Sequence, residues 1–285
     1  MLLTACTDRT AAPFVAEVSG TTTKVDVLSI TTRGVNKAGN LTAARAPGKS
    51  YIHNVISIPP RHKPGKIELS YQNPDPNKFF VFEKKEALED RAVFAKRLRA
   101  ELAKRPASDR EVVLYVHGYN SSFTDSAFRV AQLQHDLQVS GVMVNYSWPS
   151  AANPLGYSHD RDSVLFARDA FAETLKFIRS STNARIVIFA HSMGGLLAME
   201  SLRQIEISQP GWSKRSLGGV VLVAPDISLD VFKQQLLHFD GLPQPFAIFS
   251  SQKDPALRLS SRVNAVDARL GNLGDATVLE DFPVT

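Results

Sequence analysis

Apolar and polar positions alternate along the chain with two periods, one typical of strands and one typical of helices. Short apolar runs predict buried strands at 25–30, 55–58, 79–82, 112–116, 141–146, 185–190, 220–224 and 246–249. Apolar residues at every third or fourth position predict helices at 84–105, 126–139, 163–179, 196–205, 228–238 and 255–270. The small, polar stretches 34–48 and 64–77 predict loops. This order indicates an α/β fold with a mostly parallel sheet and helices on both faces.

The apolar run at 185–190 leads directly into a serine flanked by small residues, A-H-S-M-G at 190–194, and then into a helix. Small residues two positions before and after the serine permit a nucleophile elbow, a strained turn that presents the hydroxyl at the carboxyl edge of the sheet. Ala190 stands where glycine is usual and keeps that position small. We therefore predict that Ser192 is a catalytic nucleophile. The plainer alternative is a serine that only caps the helix.

A second motif, H-G-Y-N at 117–120, follows the apolar run two strands before this serine. A tetrahedral acyl intermediate needs two backbone N–H donors about 3 Å from its oxyanion. We expect these donors to be the amides of Met193 and Tyr119. His117 and Gly118 are expected to support the loop, and bracing is favoured for His117 over a role as general base because it precedes the serine.

In hydrolases with such an elbow the chain order of the triad is serine, acid, histidine. Asp226 and Asp254 both follow predicted strands; we favour Asp254 as the acid and keep Asp226 as the alternative. The seven histidines are His53, His62, His117, His135, His159, His191 and His238. None follows Asp254, and His191 should point away from the serine hydroxyl. We therefore expect the base, the last strand and the last helix to lie beyond Thr285, and the chain as given to be inactive or weak.

Together these motifs resemble an uncharacterised bacterial branch of the α/β-hydrolases, often labelled esterase/lipase-superfamily proteins. The matching positions are 57–65, 117–120, 147–150, Tyr157, Asp160, Arg161, 190–194, 224–226, Val231, Phe232, Ser251, Asp254, Ala256 and Leu257. The resemblance implies an α/β-hydrolase fold and a Ser/Asp/His hydrolase, commonly with a lipoprotein or secretory signal. It implies no defined substrate.

The first 23 residues are predicted to be separate from a hydrolase domain at 24–285. The sequence L-T-A-C at 3–6 resembles a bacterial lipobox, in which the cysteine receives a lipid, and the polar residues 7–23 resemble a tether. We therefore expect a lipidated Cys6 that anchors the protein to a membrane on the periplasmic side. The alternatives are a chance tetrapeptide and a cytoplasmic protein.

Charge and composition narrow the function further. The net charge of +5 is scattered, and its densest stretch, 84–104, alternates with acidic residues, which argues against nucleic-acid binding. No metal-ligand spacing and no phosphate-binding glycine motif is evident, so no cofactor or metal is expected. The leading hypothesis is a hydrolase of a small ester or acyl substrate, with 148–161 near the pocket mouth. The alternative is a non-catalytic, envelope-anchored binding protein of the same fold.

Overall fold

The structure, a computed structural model, describes residues 9–18, 20–250 and 269–285. The strands are β1 (Thr23–Val35), β2 (Leu41–Ile58), β3 (Val81–Leu88), β4 (Glu111–Val116), β5 (Val142–Ser147), β6 (Arg185–His191), β7 (Leu217–Val223) and β8 (Phe246–Phe249). The α-helices are α1 (Arg91–Ala103), α2 (Phe123–Asp136), α3 (Tyr157–Thr182), α4 (Met193–Ser208), α5 (Trp212–Ser216) and α6 (Leu229–Leu236).

All eight strands form one sheet in the order β3-β2-β1-β5-β4-β6-β7-β8. The neighbouring pairs β1–β5, β5–β4, β4–β6, β6–β7 and β7–β8 are parallel, whereas β1–β2 and β2–β3 are antiparallel. The predicted α/β fold with a mostly parallel sheet is confirmed. Because the parallel strands all point the same way, the residues that follow β4, β5, β6 and β7 meet at one edge of the sheet.

The core lies on both faces of the sheet because the central strands are apolar on both sides. Along β4, Leu114 belongs to the larger cluster with side chains of α1, α3, α4 and α6. Its neighbour Tyr115 belongs to the smaller cluster with side chains of α2. Successive strand residues point to opposite faces, so helices cover both faces as predicted.

The stretch 34–48, predicted to be a loop, is mostly strand. β1 extends to Val35 and β2 begins at Leu41, with Asn36 closing the turn by accepting hydrogen bonds from the amides of Ala38 and Asn40. In this outer part β2 pairs with β1 alone, since its pairing with β3 begins at Tyr51. It therefore carries no apolar pattern that would have revealed a strand.

The helix predicted at 84–105 is also shorter than expected. Residues 84–88 complete β3, and α1 begins at Arg91 after the cap residue Asp90, whose carboxylate accepts hydrogen bonds from the amides of Ala92 and Val93. Alternating charges on an edge strand protect it from pairing with other chains. They mimic the charge pattern of an exposed helix, which explains the error.

Residues near the start and end of the chain also contact the sheet. Phe14 lies beside Phe82 of β3, where Val15 N–H donates to Phe82 O (2.9 Å) and Phe82 N–H donates to Pro13 O (2.8 Å). At the other edge, Thr285 N–H donates to Phe246 O (2.9 Å) and its carbonyl accepts from Ile248 N–H (2.7 Å).

Three predictions fall outside the described residues: the lipidation of Cys6, the role of Asp254 and nearly all of the helix at 255–270. Leu270, within that predicted range, begins a short 3₁₀ turn. Within the described ranges, no helix combines the length and the apolar character needed to cross a membrane.

The cap of α1 gives a direct test of this region. Replacing Asp90 with alanine removes the acceptor for two helix amides and should lower the free energy of unfolding by about 1 kcal/mol. Glu89→Ala, one position earlier and exposed, is the matched control. Equal urea midpoints for the two variants would contradict the cap assignment.

Candidate active site

Ser192 stands alone between β6 and α4, in a backbone conformation that side-chain-bearing residues rarely adopt. Its φ and ψ are 52° and −122°, and its side chain makes no capping hydrogen bond to α4. Such a conformation costs on the order of 1–3 kcal/mol and persists only where surrounding bonds enforce it. Here Ser192 N–H donates to Val223 O (2.9 Å), and its carbonyl accepts from the amides of Gly195 (2.9 Å) and Asp226 (3.1 Å).

Two glycines let neighbouring backbone approach this turn. A Cβ at Gly194 would lie 2.4 Å from His117 O and 2.5 Å from Val116 O. A Cβ at Gly118 would lie 2.7 Å from His191 Nδ1 and 2.9 Å from Ser192 Cβ. The loop after β4 therefore packs directly on the serine turn.

His117 connects this loop to the one after β5. Its ring stacks on Trp148, with centroids 4.8 Å apart, and its nitrogens lie 2.8 Å from Gly118 O and 3.1 Å from Trp148 O. The Trp148 indole N–H in turn donates to His117 O (2.7 Å). Burial, reinforced by the charge of Arg33, lowers the pKa of His117 to about 3. The ring is therefore neutral at physiological pH.

Arg33 is a buried cation that the sequence did not reveal. It is 2% exposed, and its guanidinium donates to Ser147 Oγ (2.9 Å), Ser150 O (2.9 Å) and Ser121 O (2.6 Å). Burial lowers its pKa to about 9, against the opposing effect of Asp160. The side chain thus joins the loops after β4 and β5 from below. Its position between the predicted strand 25–30 and the predicted loop 34–48 gave no reason to expect it.

Asp160, in the first turn of α3, fixes the same two loops by accepting hydrogen bonds. Its carboxylate accepts from the amide of Asn120 (3.1 Å), the hydroxyl of Ser150 (2.6 Å) and the amide of Ala151 (2.6 Å). The side chain is fully buried. The segment 148–161, expected near the pocket mouth, therefore lies against the 117–120 loop.

Arg9 binds the rim of these loops from the N-terminal segment. It donates to Asn120 Oδ1 (2.8 Å) and Ala152 O (2.9 Å), and it forms an ion pair with Asp125. Asn120 and Ala152 both have positive φ, 56° and 51°. The cation thus stabilises two loop residues whose backbone conformations are intrinsically unfavourable.

Asp226 lies next to the serine turn but is already engaged by two partners. Tyr157 Oη donates to its Oδ2 (2.9 Å), and Arg269 Nη1 lies 3.6 Å from its Oδ1. The Tyr157 ring contacts the ring of Tyr119 edge to face, with centroids 5.6 Å apart. Tyr119 also bonds through its hydroxyl to Pro154 O. The aromatic pair therefore links the 117–120 loop to the buried carboxylate.

Of the predicted site residues, the structure brings Ser192, Met193, Gly118, His117 and Tyr119 together with Asp226 at one edge of the sheet. Within residues 9–18, 20–250 and 269–285, no histidine nitrogen is hydrogen-bonded to the Ser192 hydroxyl. Elsewhere His53 pairs with Asp26 (2.6 Å), and His238 is exposed. Sequence reasoning missed Arg9, Arg33 and Arg269, since single arginines far apart in the chain carry no motif.

Comparison with known proteins places most of the domain in a family. The model of the family described as "Alpha/beta hydrolase of unknown function (DUF900)" matches residues 90–279. A curated relative, the uncharacterized protein alr1448 of Nostoc sp., is 35% identical over 63 residues, which are 22% of this chain and 16% of that protein.

Similar solved structures include esterases and a lipase, all at low similarity. A chain from a structural analysis of two fungal esterases from Rhizomucor miehei matches 93% of this chain and 72% of its own, with 14% identity and a TM-score of 0.34. Esterase B of Lactobacillus rhamnosis matches 75% and 70%, with 14% identity and a TM-score of 0.36. Lipase B of Aspergillus fumigatus matches 43% of this chain and 27% of its own, with 15% identity and a TM-score of 0.31. The order and direction of the strands, together with the family match, show an α/β-hydrolase fold.

Because Arg33 joins the loops after β4 and β5, we expect even its conservative replacement by lysine to destabilise the fold strongly. Arg33→Lys keeps the charge but cannot reach three acceptors on two loops at once. We expect a loss of about 2–4 kcal/mol in the free energy of unfolding, because buried oxygens are left without donors. Arg45→Lys is the matched control, since Arg45 is half-buried, donates to Ser163 Oγ and His159 O, and lies 4.0 Å from the carboxylate of the exposed Asp162. Urea unfolding of both variants measures the two losses of unfolding free energy. Equal losses would refute the claim that Arg33 holds the two loops.

The depressed pKa of His117 predicts a pH dependence of stability. Between pH 6.5 and about 3 the unfolded chain takes up a proton at this histidine that the folded chain excludes. Stability should therefore fall on acidification, by up to about 1.4 kcal/mol per pH unit from this group. Urea unfolding of the wild type and of His117→Gln at several pH values isolates the effect, since other groups contribute to both. Parallel pH profiles for the two proteins would contradict the prediction.

Proposed function

This chain belongs to the alpha/beta hydrolases of unknown function (DUF900), and on that premise we propose that it is a serine hydrolase that cleaves an ester or acyl substrate through an acyl-enzyme at Ser192. The observation that carries the proposal is the backbone of Ser192, with φ 52° and ψ −122° between a buried strand and a helix. A serine that only capped α4 would use its side chain for the helix amides, and this one does not. A serine in a strained turn whose hydroxyl does not cap the following helix is typical of a nucleophile.

The reaction follows from this placement. Ser192 Oγ attacks the carbonyl carbon of the substrate, its proton passes to a general base, and the carbonyl oxygen becomes an oxyanion. We assign the oxyanion donors to the backbone amides of Met193 and Tyr119. Met193 is the first residue of α4, so its N–H is free of the helix ladder and the helix dipole favours negative charge beside it. Water then attacks the acyl-enzyme, which releases the acid and restores the serine.

Asp254 is the proposed acid of the triad, and Asp226 is the alternative. The contacts of Asp226 favour this order, because both of its carboxylate oxygens already face partners, Tyr157 and Arg269. Asp226 then acts as a support for the serine turn, through its backbone amide, and for the aromatic pair. The general base is not assigned among the described residues.

The nucleophile is tested by labelling and turnover. A fluorophosphonate probe should label the active protein at Ser192. Ser192→Ala should abolish labelling and lower turnover of a p-nitrophenyl ester by about 10⁴–10⁶-fold. Ser180→Ala, an exposed serine of α3, is the matched control and should behave as wild type. Labelling that survives in Ser192→Ala would refute the nucleophile. A protein that neither reacts with the probe nor turns over esters would favour the non-catalytic alternative.

The two candidate acids are distinguished by paired amide substitutions. Asp254→Asn should lower kcat by about 10⁴-fold if Asp254 orients the base. Asp226→Asn should act mainly on stability, since it weakens the bond from Tyr157 and the pairing with Arg269. A comparable loss of kcat in Asp226→Asn, with Asp254→Asn nearly unchanged, would exchange the two roles.

A further inference from the structure

A cluster of two imidazoles and two carboxylates lies at the edge of the sheet opposite Ser192. His62 and Glu68 belong to the loop between β2 and β3. β2 runs antiparallel to β1, so it delivers this loop to the amino edge of the parallel strands. His135 and Asp136 occupy the last turn of α2, about 20 Å along the helix axis from its start. The cluster is therefore remote from the proposed catalytic serine.

One oxygen of Asp136 is the centre of the cluster. Its Oδ1 lies 2.9 Å from His62 Nε2 and 2.9 Å from His135 Nδ1. The two rings are nearly perpendicular, with an interplanar angle of 76° and centroids 5.4 Å apart. One ligand atom from each of His62, His135 and Asp136 can be chosen so that all lie within 4.8 Å of one another. These are two nitrogen donors and one oxygen donor converging on one point.

The outward-facing atoms of two of these side chains are held by other groups. His62 Nδ1 lies 2.8 Å from Glu68 Oε2, and Glu68 Oε1 accepts from the amide of Lys63 (3.1 Å). A histidine that binds a metal through one nitrogen usually donates from the other to a carboxylate in this way. Asp136 Oδ2 accepts from the amide of Gly65 (2.7 Å) and from the side chain of Gln132. The positions of His62 and Asp136 are thus fixed independently of any contact between them.

The spacing and exposure of the cluster suit a small divalent ion. Tetrahedral Zn²⁺ binds nitrogen and oxygen at about 2.0–2.2 Å, so its ligand atoms are about 3.3–3.5 Å apart. The two 2.9 Å contacts would need to open by only about half an ångström. The side chains of His62 and Asp136 are 4% and 5% exposed, whereas that of His135 is 36% exposed and leaves a route from solvent.

We propose that His62 Nε2, His135 Nδ1 and Asp136 bind one Zn²⁺, with Glu68 orienting His62 and a water molecule as the fourth ligand. As the ion binds, His62 releases its Nε2 proton to solvent and keeps the Nδ1 proton for Glu68, while His135 carries its proton on Nε2 and offers Nδ1 to the ion. The bound ion joins the loop between β2 and β3 to the end of α2. The site is structural and does not depend on the chemistry at Ser192.

Zinc binding to the untagged 285-residue chain tests the proposal. After treatment with a chelator, the wild type should bind one Zn²⁺ per chain in competition with a chromophoric chelator. His135→Gln should weaken binding by at least about 100-fold, because it removes one ligand. The variant should still fold, because the His135 side chain is partly exposed. Glu68→Gln should weaken binding by about 10–100-fold, as loss of an orienting carboxylate does. The Co²⁺ form should show a visible spectrum of a four-coordinate site without sulfur ligands.

His238→Gln is the matched control, since His238 is an exposed histidine two residues beyond the end of α6, and the substitution should leave binding unchanged. Zinc should also raise the thermal midpoint of the wild type and of Ser192→Ala equally, and have no effect on His135→Gln. Absence of saturable one-to-one binding would overturn the proposal. Unchanged affinity in His135→Gln, or an equal loss in His238→Gln, would do the same.

Discussion

The whole candidate site depends on one steric constraint, the contact between the backbone before Gly118 and the first turn of α4. The space for a side chain at Gly194 is filled by the carbonyl oxygens of His117 and Val116, which lie 2.4 and 2.5 Å from where a Cβ would be. Any larger residue at position 194 would push the first turn of α4 away from the loop after β4. Their contact in turn confines Ser192 between β6 and α4, where its left-handed backbone is enforced by hydrogen bonds to Val223, Gly195 and Asp226.

A contact this close needs support from beneath, and buried polar groups provide it. Arg33 supplies donors to the loops after β4 and β5, and Asp160 supplies acceptors to the same loops. His117 remains neutral between them because burial and the charge of Arg33 oppose its protonation. Each charge alone would be costly in the interior. Together they fix two irregular loops whose backbone amides and carbonyls are not paired in the sheet.

The elements that could be predicted from the sequence are those determined by residues close together in the chain. The runs 112–116 and 185–190 are apolar on both faces because they form the centre of a parallel sheet, and both strands were found where expected. The position of the Ser192 turn was also predictable, since small residues around a serine leave few other structures. The outer β1–β2 hairpin was missed because residues 41–50 pair with one neighbour and, apart from Leu41, are not buried.

Residues that act through long-range contacts could not be predicted in this way. Arg33 reaches Ser147 and Ser150, more than a hundred positions away. His62 meets Asp136 across 74 positions, with no shared motif. Spacing along the chain identifies ligands on one helix or one turn, but not ligands that the topology of the sheet brings together.

The N-terminal segment has a mechanical consequence for this site. Residues 13–15 are paired with the outer strand β3, and Arg9 holds the loop residues Asn120 and Ala152. These residues form a strap that spans from the edge of the sheet to the rim beside the serine. A force that pulls on the chain N-terminal to Arg9 is therefore resisted first by the bonds of Arg9 to Asn120 and Ala152, and so acts on the loop that contains Tyr119. A force applied C-terminal to residue 15 is resisted first by the pairing of residues 13–15 with β3.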